Sequence, residues 1–228
     1  MRQLSGQHIA ALVVTALAAG LAAWGPRRRP GGWVERASRA LAVAILLAYV
    51  AEYVANLALG GFSLRFSLPL QLTDAVTIVA VAALWRPRPL LVELLYFWAL
   101  SASLQALVTP DLGQAFPSIF YFTYFIAHGG AVVATFLLVL GRHLLPRPGA
   151  ARRAFAATAL FAALAGAADL LTGGNYMFLR AKPQHASLLD DMGPWPWYIV
   201  SGAAVALAIF AALEALAGTL RRSHATTP

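Results

Sequence analysis

The sequence contains no cysteine. A disulfide, a thiolate metal site and a cysteine nucleophile are therefore excluded. Charge is also scarce. Only 11% of the 228 residues are Asp, Glu, Lys or Arg, against roughly 25% in an ordinary soluble domain. With 60% hydrophobic residues, a disordered chain is excluded too, because disorder requires low hydrophobicity. The 18 glycines follow no fixed period, which rules out a collagen-like chain. No G-x-S-x-G, P-loop, G-x-G-x-x-G, H-x-x-x-H or H-E-x-x-H occurs. The local carriers of α/β-hydrolase, nucleotide and zinc-protease chemistry are thus missing.

What is present is apolar length. Mean hydropathy is +0.70, and seven apolar stretches run over 8–24, 40–59, 68–85, 90–108, 118–140, 153–171 and 195–217. Each approaches the roughly 17–25 residues a membrane helix needs. None shows the alternation of a transmembrane barrel. The expectation is an all-α polytopic membrane bundle of about seven helices, forming a single domain over 1–228. The longest loop, 172–194, has 23 residues and leaves no room for a second domain. The first stretch has the outline of a signal peptide. Arg27, Arg28 and Arg29 follow it, while only Arg2 precedes it, so it is read as a true first span.

The charge distribution predicts the orientation. With the N-terminus outside, 13 Lys and Arg residues fall in the inner loops and 4 in the outer ones. This is the positive-inside pattern, N-out and C-in. The net charge of +8 then reflects loop arginines and not a nucleic-acid partner.

Polar residues inside spans are costly, so their positions carry information. They are Glu52, Asn56, Gln71, Thr73, Asp74, Glu93, Gln105, His128 and Asp169. In the predicted orientation all but Glu93 fall in or near the outer half. The outer loops 109–117, 175–183 and 193–197 carry Asn175, Arg180, Lys182 and several aromatic residues. One polar pocket opening toward the outer leaflet is expected. Simpler readings exist for single residues. Thr73 can bond its own helix backbone, and His128 can join two helices. Trp195, Trp197 and Tyr198 can form an interfacial belt, Arg180 and Lys182 can touch lipid phosphate, and Asp190 and Asp191 can be solvated. None of these explains the concentration in one leaflet. His8, His143, His185 and His224, at termini or in loops, receive no role.

Tyr121, Tyr124 and His128 share one helix face by their spacing. A Thr hydroxyl attacks only when a base takes its proton. His128 is the one intramembrane side chain whose ordinary pKa suits that task. Residues i and i+1 diverge on a helix, so Asp74 is expected to serve another helix and not Thr73. Glu52, Gln105 or Asp169 could orient the imidazole, and the sequence leaves that choice open. A metal site of Glu52, Asp74, His128 and Asp169 is a weaker alternative, since no ligand motif supports it. No metal and no cofactor are expected.

The segments Leu68-Pro69-Leu70-Gln71-Leu72-Thr73-Asp74, Gln105-Ala106-Leu107-Val108-Thr109-Pro110-Asp111, the His128 helix, Asn175 to Pro183, and Gly193-Pro194-Trp195-Pro196-Trp197-Tyr198 resemble the YwaF-like family of bacterial integral membrane proteins. That family is similar to the eukaryotic transmembrane protein 164 lipid acyltransferase. It is more distantly similar to the androgen-induced hydrolases of fatty-acid esters. The resemblance implies a nucleophile on one membrane helix and a His on another, at positions matching Thr73 and His128. It also implies a multi-pass protein of a bacterial inner membrane with membrane lipids as partners. The acyltransferase relative uses Cys where this chain has Thr73, so thioester-type transfer is not expected. The expected function is lipid acyl transfer or acyl-ester hydrolysis by Thr73 and His128. Gln71, Gln105 or backbone donors would stabilise the oxyanion, and Arg180 and Lys182 would hold a head group. A transporter or solute-binding protein using the same pocket is the alternative. It requires a polar path toward the inner face, where Glu93 is the one candidate. A structural scaffold is the third reading.

Overall fold

In the computed structural model, which describes residues 3–110, 112–183 and 187–225, apolar segments become helices because lipid offers the backbone no hydrogen-bond partner. The elements are α1 (Gly6–Arg28), α2 (Gly32–Ala58), α3 (Leu72–Trp85), α4 (Pro89–Val108), α5 (Ile119–Gly141), α6 (Ala150–Thr172) and α7 (Trp197–Ala225). Among the described residues there is no strand. Six of the helices are long and apolar enough to cross a membrane. Large side chains such as Val14, Leu160, Leu170 and Leu171 are exposed on the outside, an apolar surface suited to lipid. The protein is a multi-pass membrane helical bundle. Arg2, Asp111 and His185, part of the sequence reading, lie outside the described residues.

The third helix is shorter than expected. The stretch 68–85 is apolar apart from Gln71, Thr73, Asp74 and Thr77, yet α3 has only 14 residues and begins at Leu72. Pro69 cannot donate within a helix. The Asp74 carboxylate accepts from the Gln71 backbone N–H at 2.9 Å, half of a capping box that fixes the start. A helix of this length spans about 21 Å, less than the roughly 30 Å hydrocarbon core. Residues 63–71 are therefore irregular backbone near membrane depth, which is tolerated only against protein or a cavity.

Burial separates inner from outer helices. In their membrane windows α4 and α5 are 56% and 67% buried, whereas α1, α2, α6 and α7 are 6–17% buried. The helices α4 and α5 form the centre. Packed around them, α2 lies along α3 and α5, α1 lies on α5, and α6 lies against α4 and α7. The core is made of Ile45, Val76, Leu84, Leu95, Phe97, Leu138 and Phe210 with many alanines between. Glycine permits close approaches on α5. A Cβ on Gly129 would come within 2.8 Å of Thr15 Oγ1, and one on Gly130 within 2.6 Å of Ile45 Cγ1. Both central helices carry a π-helical segment, Ala99–Ser103 in α4 and Phe136–Gly141 in α5. Such turns recur at functional sites.

Candidate functional site

Most loop arginines lie at one end of the bundle, called here the Arg-rich end. Its polar groups are closely paired. Glu93 is 1% exposed and accepts five hydrogen bonds, from Arg147 N, Nε and Nη2 and from Arg153 Nε and Nη2, at 2.7–3.2 Å. Bonding to that carboxylate holds the Arg147 guanidinium above its ordinary pKa. Glu214 on α7 accepts from the backbone N–H groups of Gly149 and Ala151 at the start of α6, meeting orphan donors of the helix terminus. Arg221 donates to the Pro146 carbonyl. Glu93, the one polar residue offered for a path through the bundle, is thus occupied by a charge clamp.

The opposite end is closed by a knot of loop residues. Tyr176 is fully buried. Its hydroxyl donates to Leu64 O at 2.7 Å and accepts from Leu68 N at 2.9 Å. The buried Asp169 accepts from Tyr176 N at 2.7 Å through Oδ1, and its Oδ2 has no partner. Gln71 Oε1 accepts from Met177 N at 2.9 Å. Asn175 closes its own loop, accepting from Arg180 N and Ala181 N and donating to Ala181 O. Arg180 Nη1 donates to Asp169 O at 3.2 Å and Gly174 O at 3.4 Å. Lys182 donates to Asp190 O and lies 5.7 Å from the Tyr198 ring centroid. Gln71, Asp169, Asn175 and Arg180 therefore build the cover over the irregular 63–71 segment.

Beneath this cover lies a polar cluster on α2, α3 and α5. Tyr49, Glu52 and Tyr53 on α2 are close enough to act on the charge of Asp74. The hydroxyls of Tyr49 and Tyr53 are 3.4 Å apart. Thr123 on α5 is in reach of Glu52. Gln105 is exposed and donates to Thr109 Oγ1 one turn away, at 2.7 Å. Sequence reasoning missed Tyr49 and Tyr53, although their spacing around Glu52 puts all three on one face of α2.

Thr73 and His128 lie at similar residue counts from the Arg-rich ends of their helices. Thr73 lies 12 residues from the Trp85 end of α3, and His128 lies 13 residues from the Gly141 end of α5. At about 1.5 Å per residue, both stand roughly 18–20 Å from the Arg-rich end. The two helices are in contact. Thr73 is half-buried, and among the described residues no hydrogen bond joins it to His128. The imidazole packs edge-on against Tyr124, with centroids 4.3 Å apart. Its Nδ1 is buried without a hydrogen-bond partner, which is rare enough in a native structure to need a reason.

A second orphan stands at the same level. Tyr124 donates to Ala106 O at 2.7 Å, and Thr135 Oγ1 approaches Leu95 O at 3.5 Å. These contacts fix the register of α5 on the antiparallel α4. Counting inward from either contact places His128 opposite Ala102, one residue from Ser103. Ser103 is 1% exposed, lies in the π-helical segment of α4, and has an Oγ without a partner. Ser101 bonds Phe97 O at 2.7 Å and is not orphaned. The sequence signal was present, two serines in an apolar span, but serines commonly satisfy themselves on their own helix.

His8 also differs from expectation. It is fully buried in the first turn of α1, bonded to Leu4 N and to Leu107 O, and ties α1 to α4. Among the described residues no group of three or more His, Asp or Glu side chains gathers at metal-ligating distance. Glu52, Asp74, His128 and Asp169 do not form such a group.

A model of the TMEM164 family matches residues 3–214 of the chain. Neither a curated protein nor a solved structure matches it.

Proposed function

The chain belongs to the TMEM164 family, and from that premise we infer that it is a membrane-embedded enzyme acting on lipid acyl esters, with Thr73 as nucleophile and His128 as base. The resemblance to YwaF-like proteins and to the androgen-induced ester hydrolases belongs to this reading, as does a place in a bacterial inner membrane with the Arg-rich end inward. The observation that carries it is the pairing of depth and vacancy. Thr73 and His128 lie at similar residue counts from the Arg-rich ends of touching helices, which supports a pairing, and the imidazole has a buried nitrogen with nothing bonded to it.

The chemistry follows from those groups. The imidazole accepts the Thr73 hydroxyl proton as Oγ1 attacks the acyl carbonyl carbon. The tetrahedral intermediate expels the lipid alkoxide, which takes the proton back from the imidazolium. The acyl group is left as an ester on Thr73. Water or a second lipid hydroxyl then gives its proton to His128 and attacks that ester, releasing the acyl product and restoring Thr73. A separation between nucleophile and base before substrate binds is common, because catalytic hydrogen bonds tighten in the complex. Arg180 and Lys182, at the cover, are suited to a lipid phosphate.

The test is turnover of acyl-labelled phospholipid by purified protein in nanodiscs. Thr73→Ala and His128→Ala should each lower turnover by about 10²–10⁴-fold with the melting temperature nearly unchanged, and Thr73→Ser should keep activity. Full activity in both alanine variants overturns the mechanism. The rival transporter reading lacks support at Glu93, whose carboxylate is fully used by Arg147 and Arg153.

A further inference from the structure

At the Arg-rich end a hollow of about 480 Å³ opens between the α1–α2 turn and the last turn of α5, lined among others by Pro26, Arg27, Val34, Glu35, Arg142 and His143. Its depth in the membrane is marked independently. Trp24, Trp33 and Trp85, exposed by 57%, 39% and 51%, stand at this end of α1, α2 and α3. Exposed indoles collect at head-group level.

The lining is short of anionic partners. Arg142 Nη1 is buried and makes no hydrogen bond. Its ion-pair partner, Glu35 Oε2, is 3.7 Å away, beyond hydrogen-bond distance. The other Glu35 oxygen is taken by Arg39 Nε at 3.2 Å. Arg27 Nε donates to Leu140 O at 2.8 Å, which fixes the guanidinium in place. Arg39 and Arg142 therefore share one carboxylate, and Arg27 and Arg142 line a volume large enough for a phosphate. His143, at the edge, is held at φ 56°, a left-handed conformation that costs energy for a non-glycine residue and is retained where the surroundings demand it.

We propose that this hollow binds a phosphate group, that of an anionic phospholipid head group. The guanidinium groups of Arg142 and Arg27 donate charge-assisted hydrogen bonds to its oxygens, and Glu35 limits the affinity by competing for Arg142. Basic hollows between membrane helices at head-group level have this chemistry. The site lies at the opposite end of α5 from the start of the His128 helix and does not depend on the acyl-ester reading.

The experiment counts lipids retained after partial delipidation, by native mass spectrometry of the full chain from nanodiscs of mixed phosphatidylcholine and phosphatidylglycerol. The wild type should retain phosphatidylglycerol in preference. Arg142→Gln should lose that preference, and Glu35→Gln should strengthen it. Opposite signs from two neighbouring substitutions are not produced by misfolding. Displacement of the retained lipid by inorganic phosphate also supports the site and shows that a free anion can fill it. Retention unaffected by inorganic phosphate supports it with the lipid as source. No preference for phosphatidylglycerol in the wild type, or the same response from both variants, overturns the proposal.

Discussion

Two regions of the bundle, around Glu93 and around His128, treat buried polar groups in opposite ways. Around Glu93 every hydrogen-bonding position of a buried carboxylate is filled by Arg147 and Arg153. Around His128 the imidazole Nδ1 and the Ser103 hydroxyl are buried and unfilled. A satisfied cluster fixes helices in place. An unsatisfied one carries a cost that calls for a reason. Polarity within the membrane is therefore not enough to mark a site; vacancy among the polar atoms is the sharper sign. Arg142, at the Arg-rich end yet with an unbonded Nη1, follows the same rule, and a hollow lies beside it.

The largest expected effect strikes the satisfied cluster. The double variant Arg147→Ala with Arg153→Ala strips Glu93 of both guanidinium partners and should lower the melting temperature markedly, because it leaves a buried carboxylate without a counter-charge. Adding Glu93→Leu should restore much of that loss, since an apolar side chain needs no partner. Thermal unfolding in detergent checks both. If the triple variant stays as unstable as the double, the clamp is not mainly structural.

Next comes the cover. Tyr176→Phe removes a hydroxyl that serves both Leu64 O and Leu68 N, and should cost about 1–3 kcal/mol for the backbone groups left unpaired. Protease cleavage within 63–71 should rise. The smallest effect is at the orphan serine. Ser103→Ala removes a buried hydroxyl that bonds nothing, and should leave the melting temperature unchanged or slightly raised, because no hydrogen bond is lost. A clear fall in melting temperature would show that this hydroxyl has a partner.

The bundle was legible in the sequence because lipid enforces a simple rule, that long apolar runs become helices. The start of α3 was less so, because Leu68, Leu70 and Leu72 keep the hydropathy high while Pro69 and the Gln71–Asp74 cap decide where the helix begins. Polar candidates within the spans were legible as well, His128 because histidine is scarce there and Thr73, one of several span threonines, through the family resemblance. Their partners were not. Glu93 looked like a lone polar residue because its arginines lie 54 and 60 positions away. Asp169 and Gln71 looked like pocket residues, yet they bond the loop at Tyr176 and Met177. His8 looked terminal and is buried. In each case the deciding contact joins helices distant in sequence, and hydropathy does not record it.

The most direct test of a Thr73 and His128 pair is covalent capture. An activated acyl ester is presented to the protein in nanodiscs, and the site of acylation is read by peptide mass spectrometry. A single adduct on Thr73 in the wild type, lost in His128→Ala, is the predicted result. Acylation elsewhere, or an equal Thr73 adduct without His128, contradicts it.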